Sequence, residues 1–284
     1  MKVIPFSIPK TSREAFRIQV DHLPHLYDKL HQHPETQIML IEKGEGTIIA
    51  GDHVGRFSAG SLFLIGSSQP HVFRNDELYY KPRSKLRVQA ISIYFDEQYA
   101  GESFWQLEEL RRVHQFLLHA GAGYRVQGKT QAQLTPLIRE LISLKGINKL
   151  ILFFQLLKVL AESRELHPLS INRHAANFSA SEGKRMNDIL QFTFNQSHRK
   201  IKIEEVAEVA NLSSEAFCRY FKVRTRKTYT NFLNEVRISN ACKMLIEKEN
   251  NIQEICYDTG FANLSHFNRT FKKVTGKTPS SYFR

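Results

Sequence analysis

The chain has 284 residues, enough for two domains, and its 42% hydrophobic and 24% charged residues are an ordinary globular balance. A net charge of +12 points to a polyanionic partner. The basic excess is denser from Ser179 onward, with 18 Lys+Arg against 11 Asp+Glu. No run approaches the length of a membrane span, and the N-terminus MKVIPFSIPK is too poor in apolar residues for a signal peptide. Cys218, Cys242 and Cys256 form no CxxC pair, so neither zinc nor a disulfide framework is indicated, and a reduced cytoplasm is the expected home.

Residues up to about Asp96 read as β-structure. Gln37–Ile41 is an apolar run ending at a hairpin turn, Lys43–Gly46. Thr47–Ala50, Ser61–Ile65, His71–Phe73 and the alternating stretch Leu86–Phe95 follow, separated by Gly and Pro turns. Short strands at such spacing suggest a sandwich or barrel. The order His31-x-His33-x-Glu35, Gly44, then Gly60 leading to Pro70-His71, resembles the cupin family. Metal-binding cupins use two His, a Glu and a third His, and His31, His33 and His71 match the His positions. Glu35 comes too soon after His33, and Glu42 too late, to complete that set. A complete metal site is therefore in question; the reading is a barrel whose mouth holds a small organic effector near His31, His33 and His71, or nothing, and no cofactor is expected.

From Phe104 the pattern turns helical, first over Phe104–Leu117. His119–Gln127 is Gly-rich and reads as a loop. Helices follow over Ala132–Leu144 and Ile147–Ala161, the latter apolar on more than one face, as expected of a helix that is centrally buried or meets a second subunit. Glu165–Ser181 is polar and reads as a linker.

The last stretch writes one unit twice. Ile203, Glu205 and Val206 fall on Ile252, Glu254 and Ile255 at an offset of 49. Phe217, Arg219, Phe221, Lys222, Thr225, Lys227 and Thr228 fall on Phe267, Arg269, Phe271, Lys272, Thr275, Lys277 and Thr278 at an offset of 50. Each copy reads as a helix-turn-helix: a short apolar helix, a turn, then a second helix with aromatics on one face. Ser213 is the expected N-cap of the first copy's second helix, and Gly260 sits at the second copy's turn. The open faces carry Ser214, Glu215, Cys218, Arg219 and Lys222 in one copy and Ser265, His266, Asn268, Arg269 and Lys272 in the other. Arg bonds guanine bidentately, Asn bonds adenine and Lys meets phosphates, so such faces suit the major groove. Between the copies, Thr228–Lys248 is a helical stretch without Gly or Pro. Its length of about 30 Å approaches one turn of DNA.

GFANLSHFNRTFKKVTGKTPSSYFR, Gly260 to Arg284, resembles the C-terminal signature of AraC/XylS-type transcription regulators. The resemblance implies a seven-helix domain opening near Glu182–Gln196. It also implies pairing of two chains by the helices after the barrel, an RNA polymerase partner, and an upstream cupin-like sensing domain, in agreement with the first resemblance. The expected class is thus α+β: a cupin-like barrel (1–100), a helical extension (101–164), a linker (165–181) and an all-α DNA-binding domain (182–284). The expected function is a DNA-binding regulator, an activator responding to a small molecule, not an enzyme. The alternatives are a cupin-type metalloenzyme, which requires a bound metal, and a purely architectural DNA binder, which requires little sequence discrimination.

Overall fold

The computed structural model describes residues 14–96, 99–170, 180–247 and 251–282. The chain divides into two compact units, one lying largely within residues 4–177 and the other largely within 178–284.

The first unit contains β1 (Phe16–Leu23), β2 (Thr36–Lys43), β3 (Gly46–Ala50), β4 (His53–Phe57), β5 (Leu62–Ile65), β6 (His71–Asn75), α1 (Glu77–Tyr80) and β7 (Val88–Phe95). It continues with α2 (Glu102–Trp105), α3 (Arg111–His119), β8 (Tyr124–Val126), α4 (Gly128–Leu141), α5 (Gly146–Glu162) and β9 (Leu166–Pro168). One sheet has the order β1-β7-β2-β5-β8-β9 and the other β4-β3-β6. Among the described residues the architecture is therefore two sheets, not one hydrogen-bonded barrel.

The continuous apolar run in β2 is explained by its place. It lies between β7 and β5, with Ile38 opposite both Ile93 and Leu64, and it is covered on both faces. Successive side chains alternate across a sheet. Ile38 and Leu40 join a core with Ile91, Ile93, Phe153, Leu156 and Leu160, the helical side. Met39 and Ile41 join a separate core with Ile48, Phe57, Phe63 and Phe73, the sheet-on-sheet side. Helix α5 buries Leu152, Phe153, Leu156, Leu157 and Leu160, and Phe153 stacks on Phe16 with ring centroids 4.1 Å apart. Its outward face leaves Ile147 and Ile151 67% and 58% exposed.

Two stretches differ from their sequence-based reading. The Gly-rich segment predicted as a loop contains β8, which pairs with β5 through Leu62–Val126 and Leu64–Tyr124. Gly123 allows this because it holds a left-handed φ of 63°, and its missing Cβ leaves room for the Gln69 side chain. The start of the predicted linker forms β9 on β8, and Leu169 beyond it is buried. Glu165 accepts a hydrogen bond from the Thr130 backbone N–H at 2.7 Å, which places a carboxylate at the first turn of α4 and holds its pKa down. The polarity of this stretch thus reflects helix capping as well as solvent exposure. The rest of the predicted linker, 171–179, lies outside the described residues.

The second unit comprises α6 (Ala180–Gln196), α7 (Ile203–Val209), α8 (Ser214–Thr225), α9 (Tyr229–Glu247), α10 (Ile252–Asp258) and α11 (Leu264–Thr275). The seventh helix that the resemblance implies is a single 3-10 turn, Pro279–Ser281, capped by Thr278. Both hairpins pack on α9. Phe217 and Phe221 meet Tyr229, with Phe221 also against Phe232, in the first. Phe267 and Phe271 share a core with Ile238, Leu245 and Ile255 in the second.

Candidate nucleic-acid interface and ligand cavity

The sequence repeat is also a repeat of local physics. Ser213 accepts the backbone N–H of Ala216, and Asn263, 50 residues on, accepts that of His266. Both satisfy orphan donors at the start of the second helix of a hairpin. Thr225 Oγ1 donates to the Phe221 carbonyl and accepts the Lys227 N–H; Thr275 does the same with Phe271 and Lys277. Arg226 and Gly276 close α8 and α11 in the left-handed conformation. The turn within each hairpin repeats it, at Asn211 (φ 52°) and Gly260 (φ 87°). Gly is required at the second because a Cβ there would meet the Ser197 carbonyl oxygen at 2.5 Å. That carbonyl is held by the buried Arg237, whose Nε donates to Ser197 O at 2.8 Å and whose Nη2 donates to Arg199 O at 2.7 Å. Burial lowers the pKa of Arg237.

Of the ten residues expected on the open faces, Glu215, Cys218, Arg219 and Lys222 on α8 and Ser265, Asn268, Arg269 and Lys272 on α11 are exposed. Ser214 and His266 are half-buried at the edges of those faces. At about 100° per residue, Ser214 lies beside Phe221, and its counterpart in the repeat is Leu264, which packs against the second core. The His266 ring rests on Phe261 at 5.5 Å. What remains is the same four positions in both copies: 215, 218, 219 and 222, then 265, 268, 269 and 272. Among the described residues, Arg219, Lys222, Arg269 and Lys272 are held by no ion pair or hydrogen bond, whereas Arg224 pairs with Glu182 and Lys227 with Glu235. The four cations are thus available to phosphate or base edges.

In the first unit a cavity of about 330 Å³ opens against β7, β2 and β6. The alternation that sends Met39 towards the smaller sheet also sends Gln37 there, and Ser92 and Tyr94 on β7 join it. Gln37 Nε2 donates to Ser92 Oγ and Tyr94 OH, each at 3.1 Å. Burial pushes the Tyr94 hydroxyl up to about 12, so it stays protonated. Asp21, His25 and Tyr27 add polar groups to the lining, and Leu23, Leu26 and Phe73 apolar ones. Sequence reading missed Gln37, Ser92 and Tyr94, because only strand register brings together residues 55 and 57 apart in the chain.

His31, His33 and His71 do come together. His31 and His71 form a backbone bridge and their rings lie 4.2 Å apart, with His33 5.1 Å from His71. His31 and His71 line the cavity and His33 stands behind them. Burial lowers all three pKa values, that of His31 to about 4. Glu42 is not part of this group: its carboxylate takes two hydrogen bonds from Arg139, at 2.7 and 2.8 Å. Glu35 lies on the Nδ1 side of His33, with its carboxylate 3.7 Å away.

Comparison with known proteins agrees with both units. Residues 16–172 match the model of the AraC-like ligand binding domain and residues 206–284 that of a helix-turn-helix domain. The uncharacterized HTH-type transcriptional regulator YdeC of Bacillus subtilis is 25% identical over 280 residues, 90% of this chain and 86% of that protein. The Msm operon regulatory protein of Streptococcus mutans is 24% identical, covering 86% of this chain and 82% of its own. The HTH-type transcriptional activator RhaS of Klebsiella pneumoniae is 25% identical, covering 88% and 85%. A ligand-binding domain over more than half the chain, followed by two matched helix-turn-helix hairpins, makes this protein a member of the AraC family of transcription regulators.

Proposed function

We propose that the protein activates transcription by setting α8 and α11 into successive major grooves of one duplex, under control of a small molecule held in the cavity of the first unit. The observation that carries this reading is the identity of the four open positions on the two helices. Arg219 and Arg269 would read bases, Asn268 adenine, and Lys222 and Lys272 phosphates. The cavity volume falls within the usual range for small-molecule sites, and its mixed polar and apolar lining fits a compact ligand that carries both kinds of group. The exposed Ile147 and Ile151 on α5 favour a homodimer, which would present the DNA units to RNA polymerase at a promoter. Three free cysteines fit a reducing cytoplasm, and among the described residues no helix is long and apolar enough to cross a membrane.

Genome-wide mapping of bound sites tests the reading. The expected result is a motif with two recognition segments about 10 base pairs apart on one face of the duplex. Uniform occupancy without a motif would instead favour an architectural binder. A phosphate role for Lys272 makes a narrower prediction. Lys272→Ala should reduce the slope of log affinity against log salt by about one unit, on specific and random DNA alike. An unchanged slope removes Lys272 from the contacts.

A further inference from the structure

We infer that Arg237 is a positioning residue for DNA binding: it clamps the corner that leads into the first hairpin against the turn of the second, so that α8 and α11 meet a duplex as one rigid pair. Helix α9 sets how far apart the hairpins lie, but a single connecting helix does not fix how each is tilted about its own attachment. A second tie does that, and residues 197–202, between α6 and α7, supply it. Their backbone lies against Gly260, so close that a Cβ there would stand 2.5 Å from the Ser197 oxygen and 2.9 Å from the His198 carbonyl carbon. The buried Arg237, near the middle of α9, spans this junction. Its Nε and Nη2 donate to the Ser197 and Arg199 carbonyls on the side of the first hairpin. Its guanidinium lies 5.7 Å from the ring of Phe261, the residue after Gly260, on the side of the second. Asn240, three residues further along α9, donates from Nδ2 to Ser197 Oγ at 3.2 Å.

The two carbonyls lie just beyond Gln196, the last residue of α6, where a helix leaves carbonyls without intrahelical partners. A cation is favourable there, and a planar guanidinium can hold two acceptors and stack on a ring at once. A helix cap alone needs no more than that. The polar contacts run further: Arg199 donates from Nε to Gln196 Oε1 at 2.6 Å and from Nη2 to Glu205 Oε2 at 2.7 Å. The other Glu205 oxygen accepts the Lys202 backbone N–H at 2.8 Å, at the start of α7. One chain of contacts thus joins the turn of the second hairpin, α9 and the first turn of the first hairpin. A pair held in this way cannot follow a change of operator spacing. One base pair added between the two segments moves one of them by about 3.4 Å and turns it by about 35°, and the DNA must deform to take up the difference. Without the clamp the hairpins adjust instead. The inference rests on the proposal that both helices enter one duplex.

The test is selection of sites from a random duplex library by the full-length protein, then affinity on the recovered sites with one base pair added or removed between their two segments. The wild-type protein should recover both segments at one spacing, and the shifted sites should bind about tenfold or more weaker. Arg237→Met keeps the apolar stem and removes the donors, and Gly260→Ala forces the corner and the turn apart. Both should recover the same segments at several spacings, with the shifted sites within about threefold of the best. A spacing preference that both folded variants keep overturns the clamp alone, since a mere loss of stability lowers binding to every site equally. Wild-type protein indifferent to spacing overturns the two-helix reading together with the clamp. Should the variants not fold, spin labels on the exposed Cys218 and on Asn268→Cys decide, because Cys242 and Cys256 are buried. A single narrow distance between α8 and α11 in the free wild-type protein supports the clamp, and a broad or divided distribution overturns it.

Discussion

Phe271→Ala should destabilise the DNA-binding unit by about 3–5 kcal/mol, the usual cost of emptying a fully buried aromatic site. The Phe271 side chain has no exposed surface and packs between Phe267, at 5.7 Å, and Tyr282, at 5.4 Å, beneath the face that carries Arg269 and Lys272. The single tryptophan, Trp105, belongs to the first unit, so its fluorescence reports that unit while far-ultraviolet circular dichroism reports the helices of both. Denaturant unfolding should show an early loss of helical signal in the variant, ahead of the Trp105 transition. A cost below about 1 kcal/mol would mean that this hairpin is held from elsewhere.

Arg269→Ala should weaken binding to the specific site by about 1–3 kcal/mol, roughly 5- to 150-fold, and relax preference at one base position. Arg269 is exposed, is held by no partner among the described residues, and sits one turn after Ser265 near the middle of the open face. The Phe267 and Phe271 side of α11 is fully buried, so the substitution removes a contact without disturbing the fold. Affinity measured side by side on the mapped site and on random duplex separates the roles. An equal loss on both assigns Arg269 to a phosphate, and no loss on either removes it from the interface. Arg219, at the same position on α8, should behave alike on the other half of the site.

The helical tail was the most legible part of the chain because its repeat is written in residues whose roles are local. Phe217 and Phe267, Ser213 and Asn263, or Thr225 and Thr275 each do the same work in both copies, so sequence offset and structural offset coincide. Ser214 shows where that approach weakens. The sequence reading puts it on the open face, whereas the offset of 50 matches it with Leu264 at the margin of the core. The first unit was legible as strands but not as a site. His31, His33 and His71 were visible as a spaced pattern, yet Gln37, Ser92 and Tyr94 are unremarkable until β2 and β7 pair. Strands β8 and β9 were missed for a related reason. Each has three residues, too few for alternation to show, and each depends on a neighbour distant in sequence.

Helix α9 has 19 residues and no interruption, so it acts as a ruler with an angular scale as well as a length. Adding one residue would advance the second hairpin by about 1.5 Å but swing it about 100° around the axis. A single-residue insertion therefore puts the two hairpins out of phase, whereas seven residues nearly restore the angle, with a residual drift of about 20° and a longer reach. Length variation in this helix is thus tolerable only in near-whole turns, and each permitted step implies a different operator spacing.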